Sequence, residues 1–178
     1  MLRLFDRVLS KCVRLYRKRA FLAKINSKEK TVKIKGRVEV LATSIQIGKN
    51  VAIYDGVSFN GDGKIVIGDN CAIGKDTIIY ASKNGGVSIG NNVAIAAQCY
   101  IIDCDHGIQK GTLIREQEVV SKPIVIKNDV WVAANCTILK GSVINNGVVI
   151  GGMSLVNSEI PENGIAVGIP AKVIKYRS

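Results

Sequence analysis

The sequence predicts an all-β chain wound as a parallel β-helix of triangular coils, and three observations carry that prediction. Aliphatic residues recur every six positions from Ile47 to Val156, Gly, Asn and Asp cluster between them, and every break in the rhythm falls on one edge of the coil. The chain has 178 residues, 47% hydrophobic and only 5% aromatic, which suits one domain with a core of Ile, Val and small side chains. At that size it needs no disulfide staples.

The chain opens differently from the way it continues. From Leu2 to Leu22 the apolar residues Leu2, Phe5, Leu9, Cys12, Val13 and Tyr16 recur at helical spacing among Arg3, Arg7, Lys11, Arg14, Lys18 and Arg19, which is the pattern of a basic amphipathic helix. Residues 1–30 therefore read as helix and linker, and residues 31–178 as the β-helix domain. Such a helix either lies on an anionic membrane surface through residues 1–24 or covers one end of the domain, and the two roles are compatible. Val32, Ile34, Val38 and Val40 then alternate with Lys33, Lys35, Arg37 and Glu39, so a strand is expected over this stretch.

The repeat follows as Ile47, Ile53 and Phe59, then Ile67, Ile73 and Ile79, then Ile89, Ile95 and Ile101, and finally the unbroken series Ile126, Val132, Ile138, Ile144, Ile150 and Val156. Strands that turn after each sixth residue, three to a coil, point all of these inward, and grouping them by threes gives five coils. Gly48, Asn50, Gly68, Asn70, Gly90 and Asn92 supply corners, because these residues tolerate left-handed or strained backbone. The chain adds two residues between Phe59 and Ile67, four between Ile79 and Ile89, and a long loop between Ile101 and Ile126. All three insertions share one edge. Regular coils cannot gather polar side chains above a surface, so a site is expected at that edge.

Charge and cysteine usage exclude several functions. Thirteen of the 25 Lys and Arg lie in residues 1–37, against only Asp6 and Glu29, and the rest of the chain is balanced. The positive charge thus belongs to the N-terminal appendage and not to a platform for nucleic acid. The five Cys contain no CxxC pair, which speaks against a zinc ribbon or a disulfide framework. With no signal peptide and no run of about 18 apolar residues, a cytoplasmic protein is expected, able to touch the inner face of the membrane but not to cross it.

The long insertion begins Asp103-Cys104-Asp105-His106-Gly107, and His106 is the chain's one histidine. Imidazole accepts a proton near neutral pH without extreme tuning, so His106 is the candidate general base. Asp103 and Asp105 flank it as candidates to orient the ring or support the imidazolium. Five residues past the inward Ile101 stands His106, and five past Ile79 stands Asn84; Asn84 is expected one coil away at the same corner, where its amide can hold an acceptor. Cys71, Cys99 and Cys136 fall on small inward positions and act as compact hydrophobes. Cys104 shares a side with His106, but no neighbour in the sequence lowers its thiol pKa. No metal is expected, since a catalytic zinc usually takes three protein ligands rich in His.

The six-residue repeat resembles that of the hexapeptide-repeat acyltransferase superfamily. The match is carried further by Asp105-His106-Gly107, Asn128-Asp129-Val130-Trp131-Val132 and Gly168-Ile169-Pro170-Ala171-Lys172-Val173-Ile174. It runs from about Ile47 to Arg177. Within the superfamily these segments are similar to the galactoside and maltose acetyltransferases and to the O-acetyltransferases of capsule, O-antigen and exopolysaccharide clusters. The resemblance implies a left-handed coil, against the usual right-handed crossover. It also implies a homotrimer with acetyl-CoA in a groove between subunits, and direct acetyl transfer to a sugar hydroxyl with His106 as base. It carries acetyl-CoA contacts onto Ala134, Gly152, Asn157, Ser158, Lys172 and Lys175, the two lysines meeting the phosphates, which want cations. Asn157-Ser158 stands where the family often has Thr-Lys, and Ala133 where Gly is usual. Alternatives are an N-acetyltransferase acting on a nucleotide-linked amino sugar, a serine-type O-acetyltransferase, and a non-catalytic β-helix used for assembly.

Overall fold

The structure, a computed structural model, describes residues 2–25, 27 and 29–178, and the side chains of these apart from residues 2–8 and 10. Behind an N-terminal helix, Leu2–Lys24, the chain winds into a left-handed parallel β-helix with three flat faces. Face A stacks Lys33–Ile34, Ala52–Ile53, Ala72–Ile73, Ala94–Ile95, Trp131–Val132, Val149–Ile150 and Gly164–Val167. Face B stacks Val38–Val40, Val57–Asn60, Ile78–Tyr80, Tyr100–Ile102, Thr137–Leu139 and Leu155–Val156. Face C stacks Ser44–Ile47, Lys64–Ile67, Val87–Ile89, Ile124–Ile126, Val143–Ile144 and Glu159–Ile160. A final strand, Lys172–Tyr176, turns back antiparallel on Gly164–Val167 and closes face A.

The repeat positions pair in register from coil to coil. Ile53 meets Ile73, Ile73 meets Ile95 and Ile95 meets Val132. Ile53, Ile73, Ile79, Ile101, Val132, Ile138, Ile144 and Ile150 are all fully buried, so the interior is one column of stacked aliphatic side chains. Six complete coils and the start of a seventh are present, against the five that the unbroken spacing gives. The additional coils sit at the ends, where the spacing slips to seven residues between Val40 and Ile47 and to four between Val156 and Ile160. The single strand expected over Val32–Val40 is a corner instead. Lys33–Ile34 lies on face A and Val38–Val40 on face B, with buried Gly36 between them.

Asparagine builds the corner between faces C and A. Asn50, Asn70, Asn92 and Asn163 take φ of 56°, 58°, 58° and 57°, a left-handed conformation that Asn tolerates better than most residues. One position earlier, a side chain reaches back to the preceding coil. Asp69 Oδ1 accepts from Lys49 N at 2.7 Å, Asn91 Oδ1 from Asp69 N at 2.7 Å and Asn128 Oδ1 from Asn91 N at 2.8 Å. Gly48 serves this contact and not a left-handed turn, since a Cβ there would lie 2.3 Å from Asp69 Oδ1.

The helix covers the first coil with its last turn. Phe21 is 5% exposed and its ring lies 6.3 Å from that of Phe59, tilted by 45°; Leu22 and Ile25 pack beside it. Leu9, Leu15 and Tyr16 are 51%, 50% and 73% exposed. The side chains of Leu2, Arg3, Phe5 and Arg7 lie outside the described residues. Hollows of ≈ 500 and ≈ 590 Å³ flank the helix; they are the gaps that a cylinder leaves over a triangular end, far along the chain from His106. Among the described residues no helix is long and apolar enough to cross a membrane.

Truncation at the cap tests this arrangement. Phe21→Ala is expected to lose about 3 kcal/mol of stability in urea unfolding, the lower range for a buried Phe, while Tyr16→Ala stays within about 0.5 kcal/mol of the parent.

Candidate active site

The insertion edge lies between faces B and C. Along it the chain leaves the coil three times, between Asn60 and Lys64, between Tyr80 and Val87, and between Ile102 and Ile124. The third excursion is a two-stranded antiparallel hairpin, Cys104–His106 against Val119–Ser121, with a short 3-10 turn at Ile114–Glu116 in its loop. Gln117 stitches that loop: its Oε1 accepts from Gln109 N at 2.7 Å, and its Nε2 donates to the carbonyls of Gln109 and Thr112, each at 2.9 Å.

His106 pairs with Val119 and Cys104 with Ser121. Residues directly opposite in an antiparallel pair point to one side, so His106, Cys104, Val119 and Ser121 share a face of the hairpin, and Asp105 and Val120 occupy the other. The first of these faces borders a cleft of ≈ 350 Å³ lined by Val119 and Ser121 from the hairpin, by Ser82, Lys83 and Asn84 from the second insertion, and by Asp62 from the first. His106 is exposed, and among the described residues nothing hydrogen-bonds its ring.

The two flanking aspartates act elsewhere than on the imidazole. Asp103 is fully buried; its Oδ1 accepts from Ser82 N at 2.8 Å and its Oδ2 from Gly86 N, while its own carbonyl accepts from Lys122 N at 2.9 Å. It is a clamp that ties both ends of the second insertion to the base of the hairpin. Gly85 is needed beside it, because a Cβ there would lie 2.2 Å from Asp103 Oδ2. Ser82 Oγ donates to Ser121 Oγ at 2.7 Å and adds a second tie. Asp105, on the far side of the hairpin, forms an ion pair with Lys140 of the next coil. Lys140 carries no signal in the sequence, since it stands as one more outward lysine after Ile138.

Burial pushes the Cys104 thiol up, and the charges of Asp103 and Asp105 push it further. It therefore stays protonated at neutral pH, which removes the thiolate that a nucleophile needs. Cys71, Cys99 and Cys136 line the interior at the expected small positions, their thiols donating to backbone carbonyls of the adjacent coil.

The remaining candidate residues fall at two corners and on the closing strand. Asn84, Asn157 and Ser158 lie on the insertion edge with His106. Ala134 and Gly152 sit together at the corner between faces A and B, where the backbone of Met153 donates to Ala134 O at 3.0 Å. Lys172 and Lys175 are exposed on the closing strand of face A. One whole face separates Ala134 and Gly152 from His106.

No protein-family model matches the chain. Individual relatives do. WbbJ of Escherichia coli (strain K12), named as a lipopolysaccharide biosynthesis O-acetyl transferase, is 33% identical over 142 residues, covering 74% of this chain and 71% of WbbJ. The chain belongs to the hexapeptide-repeat acyltransferase superfamily. Like its relatives in that superfamily it is an acyltransferase. Rv3034c of Mycobacterium tuberculosis, named as an acetyltransferase, is 36% identical over 146 residues, covering 79% of this chain. The match spans about half of Rv3034c, 48% of its length. Among solved structures, a variant of AntD, an N-acyltransferase from Bacillus cereus, was determined with dTDP-4-amino-4,6-dideoxyglucose and coenzyme A. It superposes with a TM-score of 0.78 at 25% identity, over 90% of this chain and 89% of AntD.

Two measurements check the site's construction. Asp103→Ala strands two backbone N–H groups and is expected to cost about 3 kcal/mol, with faster amide exchange at Ser82 and Gly86. Alkylation at pH 7 is expected to modify exposed Cys12 well before Cys104.

Proposed function

We propose that the chain transfers the acetyl group of acetyl-CoA to a hydroxyl of a sugar or glycan, with His106 as general base. The observation that carries this reading is the position of the single imidazole, on the cleft-bordering face of a hairpin at the one edge where all insertions converge. Neutral imidazole takes the hydroxyl proton as the oxygen bonds to the thioester carbon. The carbonyl oxygen becomes an oxyanion that a backbone N–H at this edge can stabilise. The C–S bond then breaks, and the imidazolium returns the proton to the departing thiolate, leaving an ester and CoA. No acetyl-enzyme is needed, because proximity and base assistance suffice for direct attack. WbbJ, as an O-acetyl transferase, supports a hydroxyl acceptor. The likeness to AntD favours a second reading, N-acylation of a nucleotide-linked amino sugar.

The donor requires two copies of the chain. Lys172 and Lys175 offer cations for the CoA phosphates, and Ala134 and Gly152 offer an open backbone corner for the pantetheine arm, but a full face lies between that corner and His106. A neighbouring subunit that presents its A–B corner to the insertion edge of the first completes the groove, with Asn157 and Ser158 on the histidine side. The outer faces suit such a contact. Face B carries Ile78, Tyr80, Tyr100, Ile102, Leu139 and Leu155 outward, and face A carries a row of Ala52, Ala72 and Ala94 ending on Trp131. Two different apolar faces meeting head to tail close into a ring, here a homotrimer.

With acetyl-CoA as donor the reaction is cytoplasmic, and the N-terminal helix contacts the inner leaflet. Lys11, Arg14 and Arg17 stand exposed beside exposed Leu9, Val13 and Tyr16, and each basic residue near an anionic surface contributes about 1 kcal/mol.

In steady-state kinetics His106→Ala is expected to lower kcat about a hundredfold or more, with the Kd for acetyl-CoA unchanged, while Cys104→Ser keeps most activity. Near-normal turnover without the imidazole, or an acetyl group trapped on Cys104, overturns the base assignment. Light scattering should report a trimer; a fully active monomer sinks the shared groove. Co-sedimentation with anionic vesicles should weaken with added salt and on combining Lys11→Glu with Arg14→Glu.

A further inference from the structure

We infer that the cleft between the three insertions is the acceptor subsite, and that it selects an uncharged glycan over a sugar carried on a nucleoside diphosphate. The inference rests on the acetyl-transfer reading above and names its acceptor. Each irregularity of the repeat supplies one wall: Asp62 from the first insertion, Lys83 and Asn84 from the second, Glu118 and Ser121 from the hairpin, with Tyr80 of face B between them. At ≈ 350 Å³ the cleft is at the small end of ligand sites, which run from about 300 to 1,000 Å³. That is room for a sugar unit.

The lining has the chemistry of carbohydrate recognition. Among the described residues, neither the Asp62 nor the Glu118 carboxylate has a hydrogen bond or an ion pair, and both residues are exposed and line the cleft. Sugar hydroxyls are donors, and a carboxylate accepts charge-assisted bonds from them. Tyr80 adds a half-buried ring against which the C–H face of a sugar can pack, with a polar tip at its edge. Its phenol is held up by burial first and by surrounding negative charge second, so it remains a donor at working pH.

The same lining opposes phosphate. Two acidic residues and one basic residue, Lys83, line the cleft. A diphosphate has no proton to donate at neutral pH, and a site for it wants Arg, Lys or converging backbone N–H groups. Selection by like-charge repulsion needs walls that cannot move aside. Asp103 fixes both ends of the second insertion, the Ser82–Ser121 bond ties that insertion to the hairpin, and the Asp62 carbonyl accepts from Thr43 Oγ1 at 3.1 Å. Val119, which lines the cleft, is the cross-strand partner of His106, so the imidazole stands on the face of the hairpin that borders the cleft.

The test uses the intact protein with neutral methyl glycosides and with UDP- and dTDP-linked sugars. Saturation-transfer NMR reads binding without donor, and thiol release reads acetyl transfer. Methyl glycosides are expected to bind and to be acetylated with kcat/KM at least about tenfold above the nucleotide sugars. Combining Asp62→Asn with Glu118→Gln is expected to raise the glycoside KM about tenfold and to shrink the discrimination against nucleotide sugars. The KM for acetyl-CoA should stay where it was, which a general loss of folding would not permit. Equal or better use of a nucleotide sugar overturns the inference, as does a double variant whose acceptor KM values do not move. If no acceptor is acetylated, the transfer reading fails. The NMR arm then still decides the subsite: glycoside binding that the double variant weakens upholds it, and binding only of nucleotide sugars, or none, removes it.

Discussion

The hydrogen-bond ladder between successive coils is the constraint on which the rest of this molecule depends. Lys33 N donates to Val51 O at 2.8 Å, Gly48 N to Ile67 O at 2.8 Å and Val125 N to Ser142 O at 3.0 Å, and the same step recurs on every face. Each coil satisfies its neighbour's backbone groups, which water cannot reach inside the stack. An extra residue within a face would slip this register and turn the inward Ile or Val to solvent. Added residues are tolerated at a corner, and this chain puts nearly all of its additions at one of them. Three irregularities then stack above one another, and the candidate site residues gather where the ladder permits them.

A second constraint follows from the first. A loop expelled from a regular stack has no ladder of its own, so its position must be set by side chains. Asp103 does this at the point where the chain leaves the coil, holding the neighbouring insertion through Ser82 N and Gly86 N from full burial. A carboxylate that accepts bonds from backbone N–H groups in a dry site is costly to remove and rigidifies what it joins. The spacing between Asn84 and His106 is thereby fixed from behind the cleft. Asp105, two residues on and outside the body, is left to pair with Lys140.

Sequence periodicity sufficed for the body of the stack and for the edge that carries the site, because a six-residue aliphatic spacing has one simple reading as a coil. It failed at both ends, where Val40 to Ile47 and Val156 to Ile160 depart from six residues and the helix and closing strand take over as covers. His106 was legible because the chain has no other imidazole, and Asn84 because it repeats the same offset one coil earlier. Asp103 and Asp105 look alike in sequence; only the fold shows that one faces the interior and the other Lys140. Asp62 and Glu118, which we propose for the acceptor subsite, carry no signal in the sequence for a related reason. A carboxylate in a surface loop is commonplace, and its meaning depends on which other loops share its cleft.

The chain's charge is distributed along the stack as sharply as its irregularities. Residues 1–37 hold all of the net charge of +11, and they run from the helix to the start of the first coil, whereas the cleft spans the second to fourth coils and is lined by two acidic residues and one lysine. Coils are about 4.8 Å apart, so the centre of the cleft stands roughly 10 Å beyond the first coil, about one Debye length at physiological salt. The positive end, which we propose contacts an anionic surface, is therefore partly screened from the proposed acceptor cleft. The end of the helix at Lys24 borders the same hollow as Thr43 and Ser44, which lie on the edge that carries Asp62, Asn84 and the hairpin. On the proposed membrane contact, a helix resting on a lipid surface would hold the cleft a few coil spacings above it.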